Sequence, residues 1–267
     1  MPEGHTVHRV AAQLTELFAG KRPQIDSPQG RFAPQAALLN GKKLLGAEAH
    51  GKQLLIDFGP TGLIQIHLGI YGKWQFKRER TQLETLPVVG QVRLRLLANR
   101  RLAELRGPTV CELISREDSV SLIARLGPDP LRFEAGEVQE QRFIQRVRRS
   151  SLSIARLLMD QSVIAGVGNV YRAELLFRAG LNPWLAGNEI APEVLRELWQ
   201  DSVQLLSAGL KTGVMVTRDE LLGQVVPVAD RNFVYRRTEL PCRVCGCKIR
   251  MKLEAGRKLY WCEVCQS

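Results

Sequence analysis

Near the C-terminus, Cys242-Arg243-Val244-Cys245 and Cys262-Glu263-Val264-Cys265 form two CxxC pairs separated by sixteen residues. Four thiolates delivered in pairs are what a tetrahedral structural ion needs, and this spacing, in a basic and strand-like setting, predicts a zinc-bound hairpin for the tail. Gly246, directly after the second cysteine, suits a tight knuckle whose N–H groups face the sulfurs. Cys247 is able to stand in for Cys245. CxxC symmetry favours Cys242, Cys245, Cys262 and Cys265 as the ligands of one structural Zn2+, leaving Cys247 and Cys111 as ordinary thiols. A redox dithiol pair is the competing reading of the same spacing.

The charge of the chain points to its partner. The net charge is +11 over 267 residues with a pI near 9.7, which favours a polyanion, nucleic acid before membrane. From Arg231 to Ser267 nine Lys or Arg face three Glu, so the tail alone contributes +6. No stretch approaches the apolar length of a spanning helix, and no basic start leads into an apolar run. The expected setting is therefore a reducing cytoplasm, where paired cysteines mean metal more often than disulfide.

Hydrophobic periodicity divides the rest. Val7, Val10, Ala11, Leu14, Leu17 and Phe18 share one helical face, with Gly20 as a stop. Strand alternation follows in Leu54, Ile56 and Phe58, in Val92, Leu94 and Leu96, and in Gly62 to Leu68 and Thr109 to Ile114. These predict a β-sandwich or barrel-like domain with one helix before it and a short one near Val120 to Leu126. Gly127-Pro128-Asp129-Pro130 breaks any regular element and marks a hinge, after which the chain reads as helices. Ser151 is expected to cap a helix running to about Ile164. Val170 to Ala179 forms another, and Pro192 opens a third with Leu195, Leu198, Trp199, Ser202, Leu205 and Leu206 on one face. The expected divisions are 1–126, 127–229 and 230–267, an α+β chain of two lobes with a finger.

Chemistry concentrates at the first residues, Met1-Pro2-Glu3-Gly4. Loss of Met1, which a small second residue permits, would leave a secondary amine on Pro2. An α-amine titrates near 7.7–8.0 against about 10.4 for lysine, so at pH 7 it holds roughly several hundred times more of the neutral nucleophile. Its adduct with a sugar aldehyde is a cationic iminium, an electron sink for elimination, and Glu3 stands ready to move protons. Further along, Gly166-Val167-Gly168-Asn169 opens a helix, exposing N–H groups and a positive end suited to a phosphate; the alternative is a close-packed helix connection. Ile70-Tyr71, flanked by Gly69 and Gly72, offers an apolar wedge for the gap left by an extruded base, or else an ordinary hairpin turn. Lys52 at the start of a strand and Arg257 beside Lys258 on the finger are phosphate contacts or solvated cations.

Taken in order, Pro2-Glu3-Gly4, Gly51-Lys52, Gly127-Pro128-Asp129-Pro130-Leu131, Gly166-Val167-Gly168-Asn169 with Tyr171 and Glu174, and the four-cysteine finger ending Cys265-Gln266 resemble the formamidopyrimidine-DNA glycosylase and endonuclease VIII family of base-excision repair enzymes. The resemblance spans the chain. It implies an N-terminal β-sandwich with flanking helices, a helical helix-two-turn-helix domain and a zinc-finger hairpin, with damaged or abasic double-stranded DNA bound between the lobes of a monomer. It further implies that Pro2 attacks C1′ and carries β- and δ-elimination, with Glu3 as general acid and base. Lys52, Asn169 and Arg257 match phosphate-gripping positions, Gly168 belongs to the same turn, and Ile70 with Tyr71 falls at the wedge. Pro2-Glu3-Gly4 and Met159-Asp160-Gln161 are similar to the endonuclease VIII branch, and no Asp-Pro-Arg-Arg-Phe stretch of the other branch is present. Oxidised pyrimidines are the expected substrates. Departures at His5, Thr6 and Gly69 bear on lesion range and opposite base. The alternatives are a zinc DNA-binding protein without base removal, an abasic-site lyase only, or an 8-oxoguanine-type glycosylase.

Overall fold

The structure, a computed structural model, describes residues 2–78, 88–132 and 136–267. The chain divides into two compact units, 1–125 and 126–267.

The first unit opens with helix α1 (Gly4–Phe18), whose Val7, Val10, Ala11, Leu14 and Phe18 are buried as the periodicity predicts. The helix starts earlier than Val7, with Glu3 at its N-cap and His5 in its first turn, both buried. Then come β1 (Gln24–Asp26), α2 (Ala33–Leu39), β2 (Gly46–His50), β3 (Gln53–Asp57), β4 (Leu63–His67), β5 (Lys73–Arg78), β6 (Val92–Ala98), β7 (Arg101–Arg106), β8 (Val110–Ile114) and α3 (Arg116–Ala124). They form two four-stranded antiparallel sheets, ordered β1-β6-β7-β5 and β2-β3-β4-β8. Leu54, Ile56, Ile64 and Ile66 of one sheet share a core with Leu94, Leu96, Ala103 and Leu105 of the other, and α1 closes it. The result is the expected sandwich.

Four details depart from the sequence reading. A second helix, α2, precedes the sheets, because Pro34 near its start favours a helical turn that buries Ala36 and Leu39. In β3, Leu55 is buried along with Leu54 and Ile56, so the strand is covered on both faces and does not alternate. Arg95, which alternates with Leu94 and Leu96 and so belongs to the other face of β6, is also buried, its Nε 3.9 Å from a carboxylate oxygen of Glu104, which Arg106 holds at 2.7 Å. Helix α3 begins at Arg116, earlier than expected, because Ser115 and Asp118 form a capping box.

The second unit contains α4 (Gly136–Arg148), α5 (Ile154–Leu157), α6 (Asn169–Arg178), α7 (Pro192–Thr212) and the hairpin β9 (Arg250–Glu254) with β10 (Arg257–Trp261). Helix α7 buries the face named from the sequence, with Pro192 at its start and Gly213 in left-handed geometry at its end. The helix expected from Ser151 to Ile164 is a single turn. Asp160 ends it: its carboxylate accepts the Ser162 N–H at 2.8 Å and its carbonyl those of Val163 and Ile164. The released backbone then braces the Gly127 break, Gly127 N–H donating to Gln161 O and Ala165 N–H to Pro128 O. That break is packed tightly, since a Cβ on Gly127 would lie 2.6 Å from the Val163 backbone. Helix α4, which the sequence reading did not name, buries Phe143, Ile144 and Val147.

Glu174, fully buried on α6, ties this unit together. Its carboxylate accepts the Thr217 hydroxyl at 2.5 Å and the N–H groups of Phe233, Val234 and Tyr235 at 2.7, 2.9 and 2.7 Å. Glu174→Gln replaces one acceptor oxygen by an NH2 group facing donors, so urea unfolding at pH 7 should show a loss of about 3 kcal/mol; unchanged stability would remove the anchoring role.

Burial, then nearby positive charge, lowers the pKa of His5 to about 4. The unfolded chain takes up this proton below about pH 6.5 and the folded one does not until about 4. His5 therefore costs stability as pH falls through that window, by about 3 kcal/mol at most. His5→Asn should flatten the fall in urea stability between pH 7 and 4.5; an equally steep fall in the variant would rule this out.

Candidate nucleic-acid site and metal centre

In the first unit Pro2 is half-buried and Glu3 fully buried at the positive end of α1, with the Thr6 N–H donating to Glu3 O at 2.9 Å. Met1, whose removal frees the Pro2 amine, lies outside the described residues. His5 keeps its imidazole neutral here and lies 3.1 Å through Nε2 from Thr6 Oγ1.

Lys52 and the wedge residues leave one end of the β2-β3-β4-β8 sheet. Lys52 sits in the β2–β3 turn, where Gly51 has φ +58, and the adjacent Gln53 pairs with His67 at the end of β4. The loop that follows carries Ile70 and Tyr71, exposed by 48% and 84%. Such exposure of two large side chains on a short turn is costly in water and suits insertion into another surface. The loop is held from below: the Gly69 N–H donates to His67 Nδ1 at 3.2 Å, Gly72 N–H to Leu68 O, and the Thr109 hydroxyl to His67 O at 3.0 Å. Burial, and then the charge of Lys52, lowers the His67 pKa and keeps the ring neutral as an acceptor. Gly69 has φ +65, and a Cβ there would lie 2.4 Å from Thr109 Cγ2. His67 was missed as a site residue because alternation explains it as a strand end; only its place ahead of Gly69-Ile70-Tyr71-Gly72 signals more.

In the second unit the glycine turn is shaped by Gln161. Its Oε1 accepts the Gly166 N–H at 3.0 Å and its Nε2 donates to Val167 O at 3.0 Å. Gly168 caps α6, and Asn169 is its first residue. Asn169 is buried. Its Nδ2 donates to Lys258 O at 2.9 Å, and its Oδ1 accepts from Arg172 at 2.5 Å. Arg172, fully buried, also reaches Lys258 O at 3.4 Å and Ala155 O at 3.5 Å. A guanidinium only donates, so it fixes which way the Asn169 amide faces. One carbonyl thus joins the start of α6 to the strand that begins with exposed Arg257. Sequence reasoning missed Arg172. Its spacing of three from Asn169 on a helix was the available signal.

The hairpin is docked by more than this. Leu259 is buried in the helical core, Trp261 meets Trp184 edge-on at 4.7 Å, and Lys252 lies 5.6 Å over the Trp184 ring. Gln266 accepts the Cys262 N–H and donates to Leu181 O, both at 3.0 Å.

The sulfurs of Cys242, Cys245, Cys262 and Cys265 all lie within 4.8 Å of one another. Cys242 and Cys265 are 3.9 Å apart, and Cys245 and Cys262 3.4 Å. Metal–sulfur bonds of about 2.3 Å in a tetrahedron separate sulfurs by about 3.8 Å, so the donor set fits a tetrahedral ion. Cys247 is outside this group, and burial pushes the pKa of Cys111, in the sandwich core, up to about 12. Among the described residues no helix is long and apolar enough to cross a membrane.

Two family models match the chain: the formamidopyrimidine-DNA glycosylase N-terminal domain over residues 1–106 and the formamidopyrimidine-DNA glycosylase H2TH domain over 126–220. The chain is 44% identical over 271 residues to Endonuclease 8 1 of Mycobacterium tuberculosis, covering 100% of both. It is 29% identical to the formamidopyrimidine-DNA glycosylase of Thermus thermophilus, covering 100% of this chain and 98% of that one. Among solved structures, the MutM (Fpg) protein of Thermus thermophilus matches with a TM-score of 0.79 at 27% identity, covering 99% and 98% of the two chains. The Lactococcus lactis Fpg solved with abasic-site DNA shares the fold, with a TM-score of 0.81 at 24% identity over 99% of each chain. Matched over both units and across its full length, the chain belongs to the formamidopyrimidine-DNA glycosylase and endonuclease VIII family.

Proposed function

We propose that the chain is a bifunctional DNA glycosylase and abasic-site lyase of base-excision repair, acting as a monomer in the cytoplasm on oxidised pyrimidines in double-stranded DNA. The observation that carries this reading is the start of α1, where Pro2 stands one residue before a fully buried carboxylate, Glu3, at the positive end of a helix. With Met1 removed, the Pro2 nitrogen attacks C1′ of the damaged nucleotide. The bond from C1′ to the base breaks, and the base leaves with a proton supplied through Glu3. Ring opening gives an iminium on Pro2. Loss of a C2′ proton then expels the 3′-phosphate, a second elimination expels the 5′-phosphate, and water returns the amine.

The other residues hold the substrate. Lys52, Asn169, the Gly168 turn and Arg257 grip phosphates, Asn169 with the N–H left after its bond to Lys258 O. Ile70 and Tyr71 fill the gap left by the extruded nucleotide. Cys242, Cys245, Cys262 and Cys265 would hold one Zn2+, which contributes folding energy to the finger. The pyrimidine preference is supported by the 44% identity to a protein named Endonuclease 8 1, against 29% for a formamidopyrimidine-DNA glycosylase.

Borohydride trapping tests the chemistry, on duplexes carrying an abasic site, dihydrouracil or 8-oxoguanine, with loss of Met1 checked by mass. A covalent adduct strongest with dihydrouracil and absent in Pro2→Gly is expected. Trapping on abasic DNA alone would leave a lyase without glycosylase activity, and no adduct from protein with free Pro2 would leave a DNA-binding scaffold. For the metal, Cys262→Ser is expected to lose zinc and loosen the hairpin, read by metal analysis and tryptophan fluorescence; full zinc content would refute the ligand set.

A further inference from the structure

The finger contains a fifth thiol. Cys247 follows Cys245 by two residues, across Gly246 at φ +78. Its half-buried side chain packs against the cluster that contains Cys242 and Cys262. The turn that presents it is closed from both sides: the Cys242 N–H donates to Cys247 O at 2.7 Å, and the Gly246 N–H to Cys242 O at 3.0 Å. Cys247 is thus part of the same knuckle as Cys242 and Cys245 and next to the four-sulfur site.

The four ligands differ in exposure. Cys242 and Cys262 are buried and Cys265 is half-buried, whereas Cys245 is exposed. Oxidation of thiolates follows access, so Cys245 is the ligand most open to damage. Cys247, half-buried and two residues along, is the spare sulfur of the same knuckle. Gly246 between them carries no Cβ, and the space a Cβ would take is open, so the backbone at that point has room to rotate.

We propose that Cys247 is a reserve ligand, which takes the place of Cys245 when that thiol is lost and so keeps a tetrahedral thiolate site in the finger. The exchange involves no electron transfer: the thiol of Cys247 releases its proton to solvent as its sulfur bonds to the metal. The inference rests on the four-cysteine zinc reading above and concerns what the site does when Cys245 is lost.

The test compares full-length Cys245→Ser, Cys247→Ser, the double variant Cys245→Ser/Cys247→Ser, and Cys262→Ser, which has no such neighbour. Each is read by zinc content, by competition with a chelator, and by the absorption of the Co2+-substituted protein, whose intensity reports the number of thiolates. Cys247→Ser should match the wild type. Cys245→Ser should keep a full equivalent of zinc, a four-thiolate Co2+ spectrum, and an affinity within about tenfold of wild type, equal to about 1.4 kcal/mol. The double variant should lose all three. If Cys245→Ser loses zinc as completely as Cys262→Ser, or shows a three-thiolate spectrum no different from the double variant, Cys247 is not a reserve ligand. Should Cys262→Ser itself keep its zinc, the four-cysteine reading fails first and the reserve role falls with it.

Discussion

The second unit depends on a buried negative charge. Glu174 has no access to water and is compensated by four donors, three of them consecutive backbone N–H groups. A carboxylate in that position is expensive unless every lone pair is used, and the chain uses them by wrapping residues 233–235 around it. That wrap fixes where the finger begins. The same helix, two and five residues earlier, carries Arg172 and Asn169, which clamp the Lys258 carbonyl in the finger's second strand. α6 therefore sets both the root and the tip of the hairpin.

This changes how the finger is to be regarded. From composition, the tail reads as a separate basic module held by its metal. In the structure it also buries Leu259 among the helices, sets Trp261 edge-on against Trp184, and is pinned through Gln266 to Leu181. The four sulfurs and the packing belong to different parts of it: the sulfurs meet at the knuckles, and the helical core holds the strands. The burial of Arg172 follows from this division, because a guanidinium that only donates can tie a side-chain amide and a main-chain carbonyl at once.

What was legible in the sequence shares a physical character. Periodic faces were readable where one side of an element meets the core and the other meets water, as in α1 and α7. The four cysteines were readable because ligand geometry imposes spacing. The failures also have causes. Leu55 and Arg95 broke alternation because both faces of their strands are covered. The helix expected after Ser151 gave way to Asp160, whose local bonds outcompete the helical ones. His67 and Arg172 act through neighbours brought close only by folding, which no one-dimensional spacing fully encodes.

The contact between Gly69 and Thr109 joins two distant parts of the sequence into one unit of variation. Any side chain added at position 69 would meet the Thr109 methyl at 2.4 Å and would also have to tolerate a left-handed backbone. The Thr109 hydroxyl at the same time holds the carbonyl of His67, beneath the loop. A homologue or engineered variant with a larger residue at the head of this loop must therefore alter both positions together. The apolar tip is bounded on one side by the β7–β8 connection and on the other by the loop's own backbone, since a Cβ on Gly72 would meet Leu68 O, so its breadth is set jointly by the sandwich and the loop.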